Sequence, residues 1–458
     1  MHKQKSLDKS ELFERTPVPK AVMTMSLPTV LSSLVMVIYN LVDTYFVGML
    51  NNPIENAAVT LAAPVLLAFN AVNNLFGIGS SSLMSRSLGK KEYDMVRRSS
   101  AFGFYCSIVS GTLFSLLYTL LQKPLLVTLG TDAQTVFATG EYLKWTVTFG
   151  AVPAILNVVL AYLVRAEGNS ASASIGTMGG CLLNIVLDPV FILPWGLNLG
   201  ASGAGLATFL SNCASCAYFF LFLYRKKEET YVCIRPSGFV ADRSIVKEVC
   251  GVGIPASIQN LLNVTGMTVL NNFTASYGAN AVAAMGIAQK IDMIPMYFSM
   301  GISQGIMPLV SYNYAAANIR RMKQTILFSA KMSLGFLLVI AAGYYAGSYR
   351  LISLFMQNEE IIRYGGDFLR GLCLALPFLC VDFLAVGIFQ ACGMGAKALV
   401  FAILRKIVME IPALYILNSI WPMYGLSYAQ LAAEVVLAAM AVCFVRGILK
   451  GSSQRENP

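Results

Sequence analysis

Of the 458 residues, 56% are hydrophobic and only 12% are charged, about half the ~25% charged fraction of a soluble globular domain. That leaves too little charge for a water-facing surface. The formal net charge of +10 does not indicate nucleic-acid binding, because Lys and Arg fall in short clusters between apolar runs rather than on one basic face.

In chain order, residues 1–20 are polar and hold Pro17 and Pro19. They lack the apolar core and small-residue cleavage site of a signal peptide, so they are expected to form a cytoplasmic N-terminal segment, with the first span doing the targeting. About twenty apolar residues cross a bilayer. Twelve such runs follow, at about 24–49, 57–84, 99–121, 138–164, 171–195, 200–224, 248–275, 281–309, 325–346, 361–391, 396–418 and 425–448. The expected fold is an all-α membrane protein with twelve transmembrane helices in two pseudo-symmetric six-helix lobes, residues 21–224 and 248–448. A cytoplasmic linker (225–247) joins the lobes and a cytoplasmic tail (449–458) follows.

Basic residues set the orientation. They crowd the N-terminus (Lys3, Lys5, Lys9, Arg15, Lys20), the second loop (Arg86, Lys90, Lys91, Arg97, Arg98), the central loop (Arg225, Lys226, Lys227, Arg235, Arg243, Lys247) and the eighth loop (Arg320, Arg321, Lys323). Loops 50–56, 195–200, 276–280 and 418–425 carry none. Both termini are therefore expected in the cytoplasm, beneath a plasma or inner membrane. Lys123, Arg350 and Arg363 weaken the bias on the outside without reversing it.

The first span contains IYNLVDTYFVG and the fifth NIVLDPVFIL. Asp43 and Asp188 are thus ionisable groups in apolar runs, costly in hydrocarbon unless paired or solvated, and their presence points to ion movement. Tyr39 and Asn40 precede Asp43 by four and three positions and share its helix face; Asn184 shares a face with Asp188 by the same rule. With this topology both acids lie roughly 10 Å below the outer surface at 1.5 Å per residue, and Thr208 in the GAGLATF of span six is at nearly the same depth. Such an oxygen-rich set suits a small hard cation such as sodium, or one shared proton. The competing reading is a hydrogen-bonded knot tying three helices. Function is preferred, since asparagine or serine would tie the knot at lower cost.

Prolines inside the spans, at Pro28, Pro64, Pro153, Pro189, Pro255, Pro295, Pro308, Pro377 and Pro412, are candidate bends, because each frees a backbone carbonyl. Pro189 stands out because it directly follows Asp188. The ten cysteines, including Cys106, Cys181, Cys373, Cys380 and Cys443, lie mostly in apolar helical runs and read as small core residues. The Cys213–Cys216 pair reads the same way, being inside a span without a nearby histidine.

The halves repeat. Pro28 opens one half and Pro255 the other; LGKKEYDMVRR answers YAAANIRRMKQ; VRAEGNSA answers FQACGMGA. Pro28 to Gly168 spans 140 residues and Pro255 to Gly393 spans 138, which marks a duplication, with the repeat axis along the membrane normal. In the second half Glu410, Glu434 and Asn271 occupy depths like those of Asp188, Thr208 and Asp43. One reading makes them a protonatable cluster balanced by Lys290. The other makes both glutamates structural ion pairs with Lys290, Arg405 or Lys406.

Taken together, YNLVDTYFVG, LGKKEYDMVRR, RAEGN, the span-five NxxxD and GAGLAT, in this order over essentially the whole chain, resemble the multidrug and toxic compound extrusion (MATE) family, part of the flippase-related MOP superfamily. The resemblance implies a secondary active exporter of organic cations and amphipathic compounds in exchange for protons or sodium. It also implies that Asp43, Asn184, Asp188 and Thr208, with Tyr39 beside them, form the coupling-ion site, for a proton or for sodium. A branch of the family has a span-seven glutamate, where this chain has Gln259, Asn260 and Asn263. Asp382 in span ten is a weaker partner acid, because its distance from the FQACG turn fits poorly.

Other classes fit less well. A lipid-linked precursor flippase should line its cleft with basic residues, whereas those at membrane depth are chiefly Lys290, Lys331, Arg405 and Lys406. A membrane-embedded enzyme lacks its machinery, since the only histidine is His2 and there is no HExxH or nucleophile elbow. The expected partners are small amphipathic or cationic molecules and the lipid bilayer, with no nucleic acid, no cofactor beyond the coupling ion, and a monomeric state. Met36, Tyr39, Phe69, Met293, Met296, Tyr297 and Phe298 would supply an adaptable apolar wall.

Overall fold

The computed structural model describes residues 11–50 and 52–453; Lys3, Lys5, Lys9, His2 and the last residues of the tail lie outside that range. Twelve helical rods account for most of it. They are α1 (Val18–Gly48), α2 (Pro53–Gly89), α3 (Tyr93–Thr128), α4 (Val136–Phe149 and Ala151–Ala166), α5 (Ser170–Ile192), α6 (Gly200–Arg225), α7 (Arg243–Ala275), α8 (Ala279–Ala315), α9 (Ile319–Ser353), α10 (Glu359–Cys373 and Leu376–Ala391), α11 (Gly395–Ile403, continuing to Ile420) and α12 (Gly425–Ser453). Each matches one of the expected spans, α1 and α5 ending one and three residues short of it, and several overshoot it: α3 runs 36 residues and α8 37, well beyond the ~20 a bilayer needs.

Seven rods are long and apolar enough to cross a membrane unbroken, and α4 and α10 qualify as bent pairs. The other three, α7, α8 and α11, are long enough but more polar. Gln259, Asn260 and Asn263 lie on α7, Lys290 and Asp292 on α8, and Arg405, Lys406 and Glu410 on α11. Polar groups inside a span mark the helices that do more than span.

Not every proline breaks its helix, and α3 is kinked at Leu121, three residues before Pro124. Chains α1, α2, α5, α7 and α8 run helically through Pro28, Pro64, Pro189, Pro255, Pro295 and Pro308. The sharp bends are 51° in α4 and 47° in α10. Proline clashes with the carbonyl four residues back, which for Pro153 is Phe149 and for Pro377 is Cys373, the last residues before the two breaks. The duplicated halves therefore share one device. Single wider, π-type turns occur at Asn73–Ile78, Lys144–Phe149 and Leu404–Glu410, where the helix carries an extra residue and re-aims its side chains.

Contacts divide the chain into two compact units. One comprises Leu31–Ser257 and the segment ending at Arg15; the other comprises Thr16–Val30 and the chain from Ile258 onward. In the first, α5 and α6 approach closely because glycine removes the side chains between them. A Cβ on Gly180 would come within 2.1 Å of Ser215 Oγ, and one on Gly176 within 2.5 Å of the Phe219 ring. Gly205 of α6 likewise lies 2.9 Å, by its missing Cβ, from the carbonyl of Tyr142 on α4. The linker is strapped to this unit as well: Glu167 of the RAEGN turn, fully buried, accepts the backbone N–H of Tyr231 at 2.7 Å and the hydroxyl of Thr230 at 3.0 Å.

The core of the second unit joins α8 (Met285, Ile291), α10 (Phe368, Leu369, Leu372), α11 (Leu414) and α12 (Leu426, Ala429). Ser303 of α8 donates to the Phe383 carbonyl of α10 at 2.7 Å, across the gap left by Gly387.

Candidate functional site

In the first unit the structure brings Asp43 and Tyr39 of α1, Asn184 and Asp188 of α5, and Thr208 of α6 together. Asp188 is 0% and Asn184 2% exposed. The Asn184 amide, oriented by its neighbours, donates to both Asp188 oxygens at 2.8 and 3.2 Å, and its own oxygen accepts the Thr208 N–H at 3.1 Å. Asp43 of α1 neighbours Asp188, is partly buried, and its Oδ1 has no hydrogen-bond donor. Two carboxyls can bond to each other only through a shared proton. Tyr39 of α1 is partly buried beside them. Asn40, on the same helix, is exposed, and its carbonyl accepts the Thr44 hydroxyl at 2.8 Å.

No ion pair among the described residues reaches Asp43 or Asp188; Lys144 pairs with Glu141 and Arg86 with Glu248. One further group faces the acids. Tyr142, buried on α4 just before its π-type turn, lies close enough to feel the charge of both. Nothing in the sequence singles out Tyr142, because a tyrosine in an apolar helix reads as packing. The signal available was the turn itself, since Gly150 and Pro153 disturb the helix and rotate the residues before them. Glu55 of α2 supports the site from one end, its carboxylate accepting the Ala201 N–H at 2.6 Å and so capping α6.

The acids of the second unit are arranged differently. Arg405 Nε donates to Glu434 Oε1 at 2.7 Å, and its Nη1 lies 3.2 Å from Asp382 Oδ2 without hydrogen-bond alignment. Lys406 binds Glu410 at 2.6 Å. All of these groups are at least nearly buried: Glu434 is 0% and Asp382 1% exposed. Lys290, considered as the balancing cation, is exposed on α8, and Asn271 is exposed on α7, so neither joins the cluster. Asp382, expected to fit poorly, is the third member around Arg405. Its distance along the chain from the FQACG turn misled because the bend at Pro377 and the π-type turn of α11 both change the helical register.

These two clusters differ in chemistry. The first is two acids, an amide and hydroxyls with no resident cation, a donor set for a proton or a hard monovalent cation. The second carries its cations within itself.

Comparison with known proteins shows the family. The MatE family profile matches the chain twice, at residues 28–190 and 255–416, each match opening on one of the prolines that begin the halves. Multidrug export protein MepA of Staphylococcus aureus (strain NCTC 8325 / PS 47) is 32% identical over 436 residues, covering 94% of each chain, and MepA of Staphylococcus haemolyticus (strain JCSC1435) is 33% identical over the same length. Among solved structures, an outward-facing multidrug resistance MATE family transporter of the MOP superfamily superposes with a TM-score of 0.91 at 26% identity, covering 97% of this chain and 98% of that one. A MOP superfamily transporter from Pyrococcus furiosus, described as having a reversed binding-pocket polarity, gives 0.89.

Proposed function

The chain belongs to the MatE family of multi-pass membrane transporters, the multidrug and toxic compound extrusion proteins, and on that premise we propose that it is an antiporter exporting organic cations and amphipathic compounds in exchange for protons or sodium across the plasma or inner membrane, with both termini cytoplasmic. The observation that carries the reading is fully buried Asp188 beside partly buried Asp43, with an amide and hydroxyls around them and, among the described residues, no ion pair to a cation. The names of the relatives, multidrug export proteins, support export as the direction.

The mechanism is competition for one negative centre. A proton or sodium ion entering from outside reduces the charge of the pair and favours the arrangement in which Asn184 and Thr208 close around it. A cationic cargo from the cytoplasm is drawn by the same charge, and it stabilises the arrangement in which the ion has left. Each ligand shifts the equilibrium by its own differential affinity, so the two need not touch. Asp43, Asp188, Asn184, Thr208 and Tyr39 hold the ion, and Tyr142 completes the wall.

Dye movement in everted membrane vesicles tests this. An imposed proton gradient, and separately a sodium gradient at fixed pH, should each be tried. Dye movement driven by one of them identifies the coupling ion, and no movement under either overturns the exporter reading.

A further inference from the structure

Among the described residues of the second unit, one buried acid has no cation. Asp292 of α8 is 7% exposed, and its Oδ1 has no hydrogen-bond donor. It is bordered by the apolar cores around Ile291, Leu372 and Leu376. Among the charged groups of the helices packed on α8, Lys331 of α9 is exposed. Lys290 is two residues away and therefore faces another direction. From α9 comes Tyr344, and from α10 Cys373. The nearest guanidinium of α10, Arg370, is stacked over Tyr345 and Tyr349 at 5.1 and 4.6 Å from their ring centroids and donates to the Tyr345 carbonyl. Arg405 and Lys406 are taken by Glu434, Asp382 and Glu410.

The local backbone gives this acid a lever. Pro295 has no N–H, so the carbonyl four residues back, that of Ile291, loses its helical partner. The Tyr344 hydroxyl fills the vacancy, donating to Ile291 O at 3.2 Å. A single phenol from α9 thus secures the weakened turn of α8 immediately beside the buried acid.

We propose that Asp292 is a second proton-exchange site, in the C-terminal half, and that its ionisation draws the Tyr344 hydroxyl away from Ile291 O. With the carboxyl protonated, the phenol closes the α8 turn. When the proton passes to water the carboxylate becomes the stronger acceptor, the phenol moves to it, and the turn at Pro295 is released. Nothing else is bonded or broken. The inference rests on the exporter reading for its place in a transport cycle, but not for the titration itself.

Infrared difference spectra of the purified full-length protein in lipid, between acidic and alkaline pH, read the protonated-carboxyl C=O band directly. Asp292→Asn should remove one component of that band. Tyr344→Phe, which keeps the carboxyl, should retain the component and displace its midpoint by about one pH unit, the worth of a hydrogen bond to a charge. In vesicles, the pH profile of dye efflux should be displaced by Asp292→Asn and restored by Asp292→Glu. A band unchanged by Asp292→Asn, or an Asp292→Asn efflux profile identical to wild type, overturns the proposal. A wild type without gradient-driven efflux sinks the exporter reading instead, and the band still decides whether Asp292 exchanges a proton.

Discussion

Asn184 donates one amide nitrogen to both carboxylate oxygens of Asp188, one helical turn away, and with its oxygen holds the backbone of Thr208 on the next helix. It therefore joins the acid to α6 and orients it at the same time. Asn184→Leu removes both functions at nearly constant volume. The loss of a hydrogen bond to a charged group is worth about 1.5–3 kcal/mol, so ion affinity should fall at least about tenfold, and efflux should require a steeper gradient. The check is the gradient dependence of dye transport in vesicles at matched protein level.

Asp188→Asn and Asp43→Asn should each abolish gradient-driven efflux while leaving the protein inserted and folded, since both replacements remove charge without changing shape. Because the two acids share one ligand, the double variant should be no worse than either single one; residues acting as a unit are not additive. Efflux at wild-type rates in either single variant would return the cluster to the status of a hydrogen-bonded knot.

Much of this site was legible in the sequence, because an acid in a run of twenty apolar residues is conspicuous and helical periodicity places its neighbours. Asp43, Asn184, Asp188 and Thr208 needed only depth and topology to be grouped. Tyr142 was not legible, since its side chain is ordinary in a membrane helix and only the bend of α4 aims it at the acids. Asp292 was hidden for the opposite reason: beside Lys290, it reads as half of an exposed charge pair, until the structure shows the two on different faces. The glutamates of the second half were found by depth, but which cation each takes depends on the π-type turn of α11, which a 3.6-residue period does not represent.

Tyr142→Phe keeps the ring and removes the hydroxyl. If the phenol helps hold the ion, coupled efflux should fall several-fold while protein level and thermal stability stay near wild type, because an aromatic of the same volume is retained. Titrating efflux against the driving gradient separates weaker ion binding from misfolding, which would lower the melting temperature as well.

Arg405 is a test of structure rather than of transport. Arg405→Gln leaves Glu434 and Asp382 buried without their cation, and breaking a buried pair from one side costs about 3–5 kcal/mol. The detergent-solubilised variant should melt well below wild type. The combined replacement Arg405→Met, Asp382→Leu and Glu434→Leu, which removes every charge of the triad, should recover most or all of that loss. If the triple variant is as stable as wild type and still drives efflux, the triad is a fastener and coupling does not pass through it.

The close approach of α5 and α6 gives the last prediction. A Cβ at position 180 would meet Ser215 Oγ at 2.1 Å, but the Ser215 Cβ only at 3.4 Å. Gly180→Ala should therefore push the helices apart, at a cost of about 1–3 kcal/mol for overpacking, and draw the Thr208 N–H away from Asn184. Efflux should drop although neither ion-binding acid is altered. Adding Ser215→Ala removes the obstructing oxygen, together with its bond to the Gly176 carbonyl at 3.1 Å, and leaves the Ser211 carbonyl at 3.3 Å as the tightest contact. The double variant should regain most of the lost efflux. Transport by Gly180→Ala at wild-type rates would mean that the Asn184–Thr208 contact is not what holds the site in its working geometry.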